Sequence, residues 1–173
     1  MNAPNGPKSP TVQPTPPIKR QLMEWNEIAI SSALGIQVHE VREYFRDGRR
    51  VSFLIERRLA HKELGGKLAP SEGAAYDIMD GQGRKWECRS LSRNGVYFCP
   101  SYMVGSGRAF DEPGFLAKLK EIEGYIVSDV ELFPNVPFWI LPKTTVENWY
   151  RNGKLGAGTK ISRTTALKLL EFV

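Results

Sequence analysis

The segment 74–92 constrains the fold of this chain most, because two β-like runs flank a glycine-rich turn. The runs are AAYDIMD and RKWECRSLS, and GQG stands between them. Two glycines between alternating segments are a strong signal for a β-hairpin. If the arms pair about Gln82, Asp77 lies directly opposite Glu87, with their side chains about 5 Å apart. Facing carboxylates destabilise a sheet unless a cation lies between them, so the hairpin predicts either a cation site or two merely solvated acids.

A helix with a misplaced carboxylate precedes the hairpin. The stretch RRVSFLIERRLAHKELGG has apolar residues at helical spacing and ends in two glycines. Glu56 shares a helical face with Phe53 and Ala60, so its carboxylate needs a partner. Two interpretations fit: a salt-bridged glutamate at the edge of the apolar stripe, or a functional acid.

Composition excludes several classes of protein. Lys and Arg number 24 against 19 Asp and Glu, a balance that is compatible with a polyanion partner. Cys88 and Cys99 have no zinc-ligand spacing, and two thiols without a disulfide framework suit a reducing cytoplasm. Neither an apolar leader nor an apolar run of about 18 residues is present, so we expect no export and no membrane insertion.

The chain divides into three parts by its texture. Residues 1–18 hold six of the twelve prolines and predict a disordered arm. Residues 19–49 predict a helical segment, with two short helices broken at LGIQ, where Gly35 can adopt a positive φ. Their spacing is similar to a helix-turn-helix, although a packing role explains it as well. Residues 50–173 predict the core domain.

The core domain alternates helices and strands. The helical FLAKLKEIEG follows the hairpin, the apolar runs YIVSDV and VPFWILP predict buried strands, and two further helices complete the chain. This order predicts an α/β (α+β) fold with a mixed central sheet flanked by helices.

The order of these elements resembles the PD-(D/E)xK nuclease superfamily, which has the restriction-endonuclease-like fold. The likeness covers about residues 50–142. In that family two acids lie on adjacent strands, the second two residues before a Lys, and a further Glu comes from the preceding helix. The resemblance implies that Asp77 is the first acid, Glu87 the second and Glu56 the helical acid. Arg89 stands where the family has its catalytic Lys.

The resemblance implies a catalytic set of Asp77, Glu87 and Arg89, with Mg²⁺ held by Asp77, Glu87 and Glu56. A guanidinium stays charged, so Arg89 can hold a phosphate or a water but cannot easily act as a base. Lys85 faces the same side as Glu87 and could take the role of the family's catalytic Lys in place of Arg89. The basic residues expected to contact DNA are Arg84, Lys85, Arg93 and Arg108.

Three functions remain open at this point. The first is a Mg²⁺-dependent DNA endonuclease of the restriction, phage or mobile-element type. The second is a catalytically inactive nuclease-fold module that only binds DNA. In the third, the hairpin acids are structural and nucleic acid is not the partner. The sequence leaves the oligomeric state open, including a homodimer.

Overall fold

The computed structural model describes residues 19–171, which fold around a six-stranded mixed sheet. The strands are β1 (Lys19–Glu24), β2 (Lys67–Leu68), β3 (Ile78–Met79), β4 (Lys85–Leu91), β5 (Val96–Tyr97), β6 (Gly124–Asp129), β7 (Asn135–Pro142) and β8 (Lys160–Ile161). The α-helices are α1 (Glu27–Leu34), α2 (Val38–Arg46), α3 (Gly48–Arg58), α4 (Glu112–Glu121), α5 (Lys143–Arg151) and α6 (Arg163–Glu171). The predicted α+β class, a mixed sheet flanked by helices, is confirmed.

The main sheet has the strand order β1-β7-β6-β4-β3-β2. Strands β2, β3 and β4 form an antiparallel meander, whereas β4 and β6 are parallel. Parallel neighbours need a crossover connection, and the segment containing α4 provides it. Strands β7 and β1 complete the sheet in antiparallel orientation, and β5 pairs with β8 in a separate two-stranded sheet.

The hairpin pairs in the register that its turn predicts. Ile78 lies opposite Trp86 and Met79 opposite Lys85, so the two arms are symmetrical about Gln82. The Asp80 carboxylate stabilises the turn by accepting hydrogen bonds from backbone N–H groups on the second half of the loop. The ladder between β3 and β4 ends at Ile78, which leaves the preceding residue, Asp77, at the end of the paired strands.

The sheet separates two hydrophobic clusters because successive side chains of a strand point to opposite faces. On β4, Trp86 and Cys88 pack on the side of α2 and α3, whereas Leu91 packs on the side of α4, α5 and α6. By the same alternation, Glu87 and Arg89 lie on the α4 side. Glu56 belongs to α3, so the three predicted acids come from elements on both faces of the sheet.

The expectation of a helical segment over residues 19–49 is wrong at its start. Residues Lys19–Glu24 form β1, an edge strand paired with β7. Met23 is the one buried residue of this strand, so the hydrophobic pattern is too weak to mark it, and backbone pairing determines its conformation. Helices α1 and α2 then follow as predicted, and Gly35 ends α1 with a φ of 68°. The proline-rich arm predicted at residues 1–18 lies outside the described residues.

Helix α3 forms where periodicity predicts it and continues as a π-helical turn over Leu59–Glu63. Val51 and Ile55 are buried, but Phe53, which we expected in the apolar stripe, is 53% exposed. Gly66 then allows the chain to pass against β3, since a Cβ there would lie 2.0 Å from the Met79 carbonyl oxygen. None of the helices within residues 19–171 is long and apolar enough to span a membrane.

Candidate active site

Asp77 extends the hairpin beyond its last backbone pair. The Cys88 N–H donates a hydrogen bond to Asp77 Oδ2 at 2.7 Å, and the Asp77 N–H donates to the Trp86 carbonyl oxygen at 3.0 Å. The carboxylate thus takes the place of a backbone acceptor where the ladder ends. Its side chain keeps 30% exposure, which makes it more accessible than Glu87.

Glu87 and Asp77 meet at the guanidinium of Arg89. Arg89 Nη2 lies 2.8 Å from Glu87 Oε1, and Arg89 Nη1 lies 3.9 Å from Asp77 Oδ2. The structure therefore brings the two hairpin acids to one cation, and this cation is part of the protein itself. Opposing carboxylates are tolerated here because the positive charge lies between them.

Arg89 is a buried arginine whose donors are almost fully used. Its Nε donates to the Tyr97 carbonyl oxygen, and Nη1 and Nη2 donate to those of Cys88 and Cys99, at distances of 2.9–3.1 Å. Burial lowers the pKa of the guanidinium, but Glu87 and Asp77 outweigh that effect and raise it. Arg89 thus stays charged, is shielded from solvent and connects β4 to the segment around β5.

Lys118 of α4 is a site residue that sequence reasoning missed. Its Nζ lies 2.5 Å from Glu87 Oε2 and donates to the Ala75 carbonyl oxygen at 2.6 Å. The side chain is only 13% exposed. The sequence signal that could have found it is helical spacing: Lys118 is next to Leu119 and three residues after Phe115, both of which are buried, so it lies at the edge of the buried face of α4. Lys85, which we had considered instead, is exposed and lies with its Nζ 5.2 Å from the ring centre of Tyr76.

Glu56 is linked to the hairpin acids electrostatically. Burial is the largest cause that raises its pKa to about 7, Asp77 and Glu87 raise it further, and Arg89 and Arg57 oppose them. In the part of the chain that the structure describes, Glu56 has no ion pair. The carboxyl therefore keeps its proton to a higher pH than an ordinary glutamate does.

Asp77 responds to the same environment. Burial is the main cause that raises its pKa, and the charge of Glu87 adds to it, whereas Arg89, the Cys88 N–H and Lys118 lower it. Burial likewise raises the pKa of the Cys88 thiol well above its usual value, so this group stays protonated beside the acids. Glu56 and Asp77 therefore bind protons more tightly than ordinary carboxyls do. They lie close to Glu87, whose carboxylate contacts the cations Arg89 and Lys118.

The predicted ligand set Glu56, Asp77 and Glu87 does not form a closed metal site. Within residues 19–171, no group of three or more His, Cys, Asp or Glu side chains could hold a metal ion as arranged. Both oxygens of Glu87 face cations, and one oxygen of Asp77 accepts the Cys88 N–H. The acids are close enough to influence one another, but they do not surround a common point.

The four basic residues expected to contact DNA have different surroundings. Arg84 pairs with Asp80 at 2.7 Å, and Arg108 donates to two carbonyl oxygens of its own loop. Lys85 and Arg93 are exposed to solvent. The structure thus assigns local partners to the first pair and leaves the second pair facing outward.

No protein-family model, no curated protein and no solved structure matches this chain. The resemblance to PD-(D/E)xK nucleases therefore stays a prediction from the sequence.

Proposed function

We propose that this chain is a Mg²⁺-dependent DNA endonuclease that hydrolyses phosphodiester bonds. The observation that carries the proposal is the convergence of Asp77 and Glu87, from two paired strands, on a part-buried cluster that also contains Arg89 and Lys118. The order of elements supports it: a helix with Glu56, three antiparallel strands, a crossover helix and a parallel strand. Carboxyls whose pKa is raised by burial and mutual repulsion are typical of functional sites.

The donor set fits Mg²⁺ in its chemistry. Mg²⁺ prefers hard oxygen ligands; Asp77 and Glu87 would hold it, with Glu56 beside them, once an oxygen of Glu87 exchanges its cation partner for the ion. Burial is the main cause of the raised pKa values of Glu56 and Asp77, and the charge of Glu87 adds to both, so a divalent cation beside these carboxyls would favour their ionised forms. When bound, such an ion lowers the pKa of a water and neutralises charge on the phosphate.

The protein's own groups account for the movement of the proton. In hydrolysis a water oxygen bonds to phosphorus, the bond to the leaving sugar oxygen breaks, and the water gives up a proton. Glu56 lies beside these acids and, among residues 19–171, is not committed to an ion pair, so it can accept that proton. The ammonium of Lys118 lies beside Glu87, where it can stabilise charge on the phosphate or protonate the leaving oxygen.

Arg89 has a different task in this proposal. Its guanidinium is committed to three carbonyl oxygens and to Glu87, so it positions the second acid and the segment around β5. Lys118, which comes from α4, then supplies the ammonium that the resemblance implies at position 89. This assignment removes the difficulty of an arginine that cannot act as a base.

A second candidate function is DNA binding without catalysis. The observation that favours it is the full neutralisation of Glu87 by two cations at 7% side-chain exposure. Cleavage of supercoiled plasmid in Mg²⁺, in Mn²⁺ and in EDTA separates the two candidates. The endonuclease nicks or linearises the plasmid with a divalent ion and is silent in EDTA. A protein that binds DNA but cuts under no divalent ion is the inactive relative.

A further inference from the structure

The outward face of α3 carries two arginines around one exposed aromatic ring. Arg49, Phe53 and Arg57 are spaced four residues apart, so their side chains form a row along the helix, here named the α3 ridge. Phe53 is 53% exposed, and the guanidinium carbon of Arg57 lies 3.9 Å from the centre of its ring. Val51 and Ile55 are buried on the other side of the helix, so the ridge faces solvent.

The ridge arginines differ from their neighbours in having no carboxylate partner. Arg50 pairs with Asp47 at 3.3 Å and Arg58 with Glu63 at 2.6 Å. Among residues 19–171, neither Arg49 nor Arg57 has an ion pair. Two guanidinium groups without a carboxylate partner, one of them stacked on an exposed aromatic ring, are complementary to a ligand that has anionic groups and flat apolar faces.

The ridge borders the candidate active site. Arg57 follows Glu56 directly in α3, and its charge lowers the pKa of that carboxyl. The ridge and Glu56 thus share one helix, whereas Glu87 and Arg89 lie on the opposite face of the sheet. This position distinguishes the ridge from basic groups on the α4 side of the sheet.

We propose that the α3 ridge is a DNA-contacting surface, in which Arg49 and Arg57 bind phosphates and Phe53 stacks on a base. The guanidinium fork matches phosphate oxygens, and every base offers a π-face to an aromatic ring. In a nucleic acid every phosphate is accompanied by a flat base, whereas an acidic peptide supplies carboxylates without a regular aromatic partner. The choice of DNA as the ligand rests on the proposed function; the location of the contact outside the acidic cluster is new.

The test measures fluorescence anisotropy of a labelled oligonucleotide of about 20 nucleotides, as duplex and as single strand, in EDTA. Two variants are compared with the wild type. One is the double variant with Arg49→Gln and Arg57→Gln, and the other is the single variant Phe53→Ala. Lys154→Gln with Lys160→Gln is the matched control, because both lysines are exposed and lie outside α3. Circular dichroism verifies that every variant keeps the fold.

We expect the double arginine variant to bind at least about ten-fold more weakly, with a log–log salt slope on duplex reduced by about 1.8, for two lost phosphate contacts. Phe53→Ala should lose about five-fold or more in affinity while its salt slope stays unchanged. The lysine control should reproduce the wild-type slope. Ridge variants that bind like this control would overturn the proposal.

Plasmid cleavage measured in parallel separates the ridge from the proposed function. If the wild type cuts while ridge variants bind normally, the ridge alone is refuted. If the wild type shows ridge-dependent binding and no cleavage, the ridge is supported and the proposed catalysis fails. A wild type that binds neither oligonucleotide at low salt refutes both.

Conversion of a dimer to a monomer by Phe53→Ala, seen by sedimentation, would instead make the ridge a self-association surface and overturn the proposal.

Discussion

Burial of Glu56 disfavours the ionised form of its carboxyl. Its pKa is about 7 in the folded protein, against an ordinary value of 4.5. A carboxyl with a raised folded-state pKa costs no stability below the unfolded pKa, and the cost grows as pH rises through the folded pKa. The stability of the chain should therefore fall between about pH 4.5 and pH 7 through this one group.

Glu56→Gln should remove that cost. We expect the variant to gain about 1–2 kcal/mol at pH 8, less than the full shift implies because the carboxyl is partly screened by solvent, and almost nothing at pH 4.5. Thermal melts at the two pH values measure the difference, which corresponds to about 2–8 °C at pH 8. Glu43→Gln, an exposed glutamate of α2, is the control. Equal gains at both pH values would contradict the assignment of a raised pKa to Glu56.

Arg89 should prove structural as well as functional. Arg89→Ala leaves Glu87 with one cation and frees the carbonyl oxygens of Tyr97 and Cys99, so we expect a loss of about 3–5 kcal/mol. Arg89→Lys keeps the charge but not the fork, so its loss should be intermediate. Denaturant titration measures both. Arg93→Ala, at an exposed position, is the control, and an Arg89→Ala protein as stable as this control would refute the structural role of Arg89.

At the scale of elements, α4 supplies the candidate site with Lys118. It crosses over between parallel strands β4 and β6 and carries Lys118 to Glu87 and to the carbonyl oxygen of Ala75. Lys118 therefore depends on the packing of α4, whereas Asp77 and Glu87 depend on the hairpin. The proposed active site exists only when both elements are in place.

Lys118→Met should lower the cleavage rate at least about 100-fold, since the ammonium beside Glu87 is lost while most of the side-chain volume remains. DNA affinity in EDTA should change little, because this side chain is mostly buried. Lys120→Met, an exposed lysine two residues later in α4, should cut like the wild type. Unchanged cleavage by Lys118→Met would show that Lys118 only neutralises Glu87.

The hairpin and the site differ in how far the sequence predicts them. The GQG turn and alternating flanks determine the register of β3 with β4 locally, and so the convergence of Asp77 with Glu87 was predictable. The spacing of Lys118 from Phe115 indicates a half-buried position on α4, but its contact with Glu87 depends on how the crossover helix packs on the sheet, which no local pattern encodes. Strand β1 was missed because it buries only Met23, and its pairing depends on the edge that β7 offers.

At the scale of the whole molecule, the described fold begins at Lys19 with β1 on the edge of the sheet. Residues 1–18 contain six prolines and few groups that a core could bury. Their deletion should leave the melting temperature within about 2 °C, because each kcal/mol shifts it by about 2–4 °C in a chain of this size. Differential scanning calorimetry of the full chain and of the truncated chain measures this. A larger drop would show that these residues contribute to the folded body.

The central claim is that Asp77 and Glu87 form the acidic pair of a metal-dependent DNA endonuclease, and Asp77→Asn tests it most directly. Asparagine keeps an oxygen that can accept the Cys88 N–H, so the hairpin should survive while the charge is lost. We measure single-turnover plasmid cleavage in Mg²⁺ for the wild type, for Asp77→Asn and for the exposed control Glu72→Gln. The account predicts cleavage by the wild type and by the control, and a rate at least about 100-fold lower for Asp77→Asn, roughly 2.7 kcal/mol of barrier. Cleavage by Asp77→Asn at the wild-type rate, or no cleavage by the wild type in any divalent ion, would contradict it.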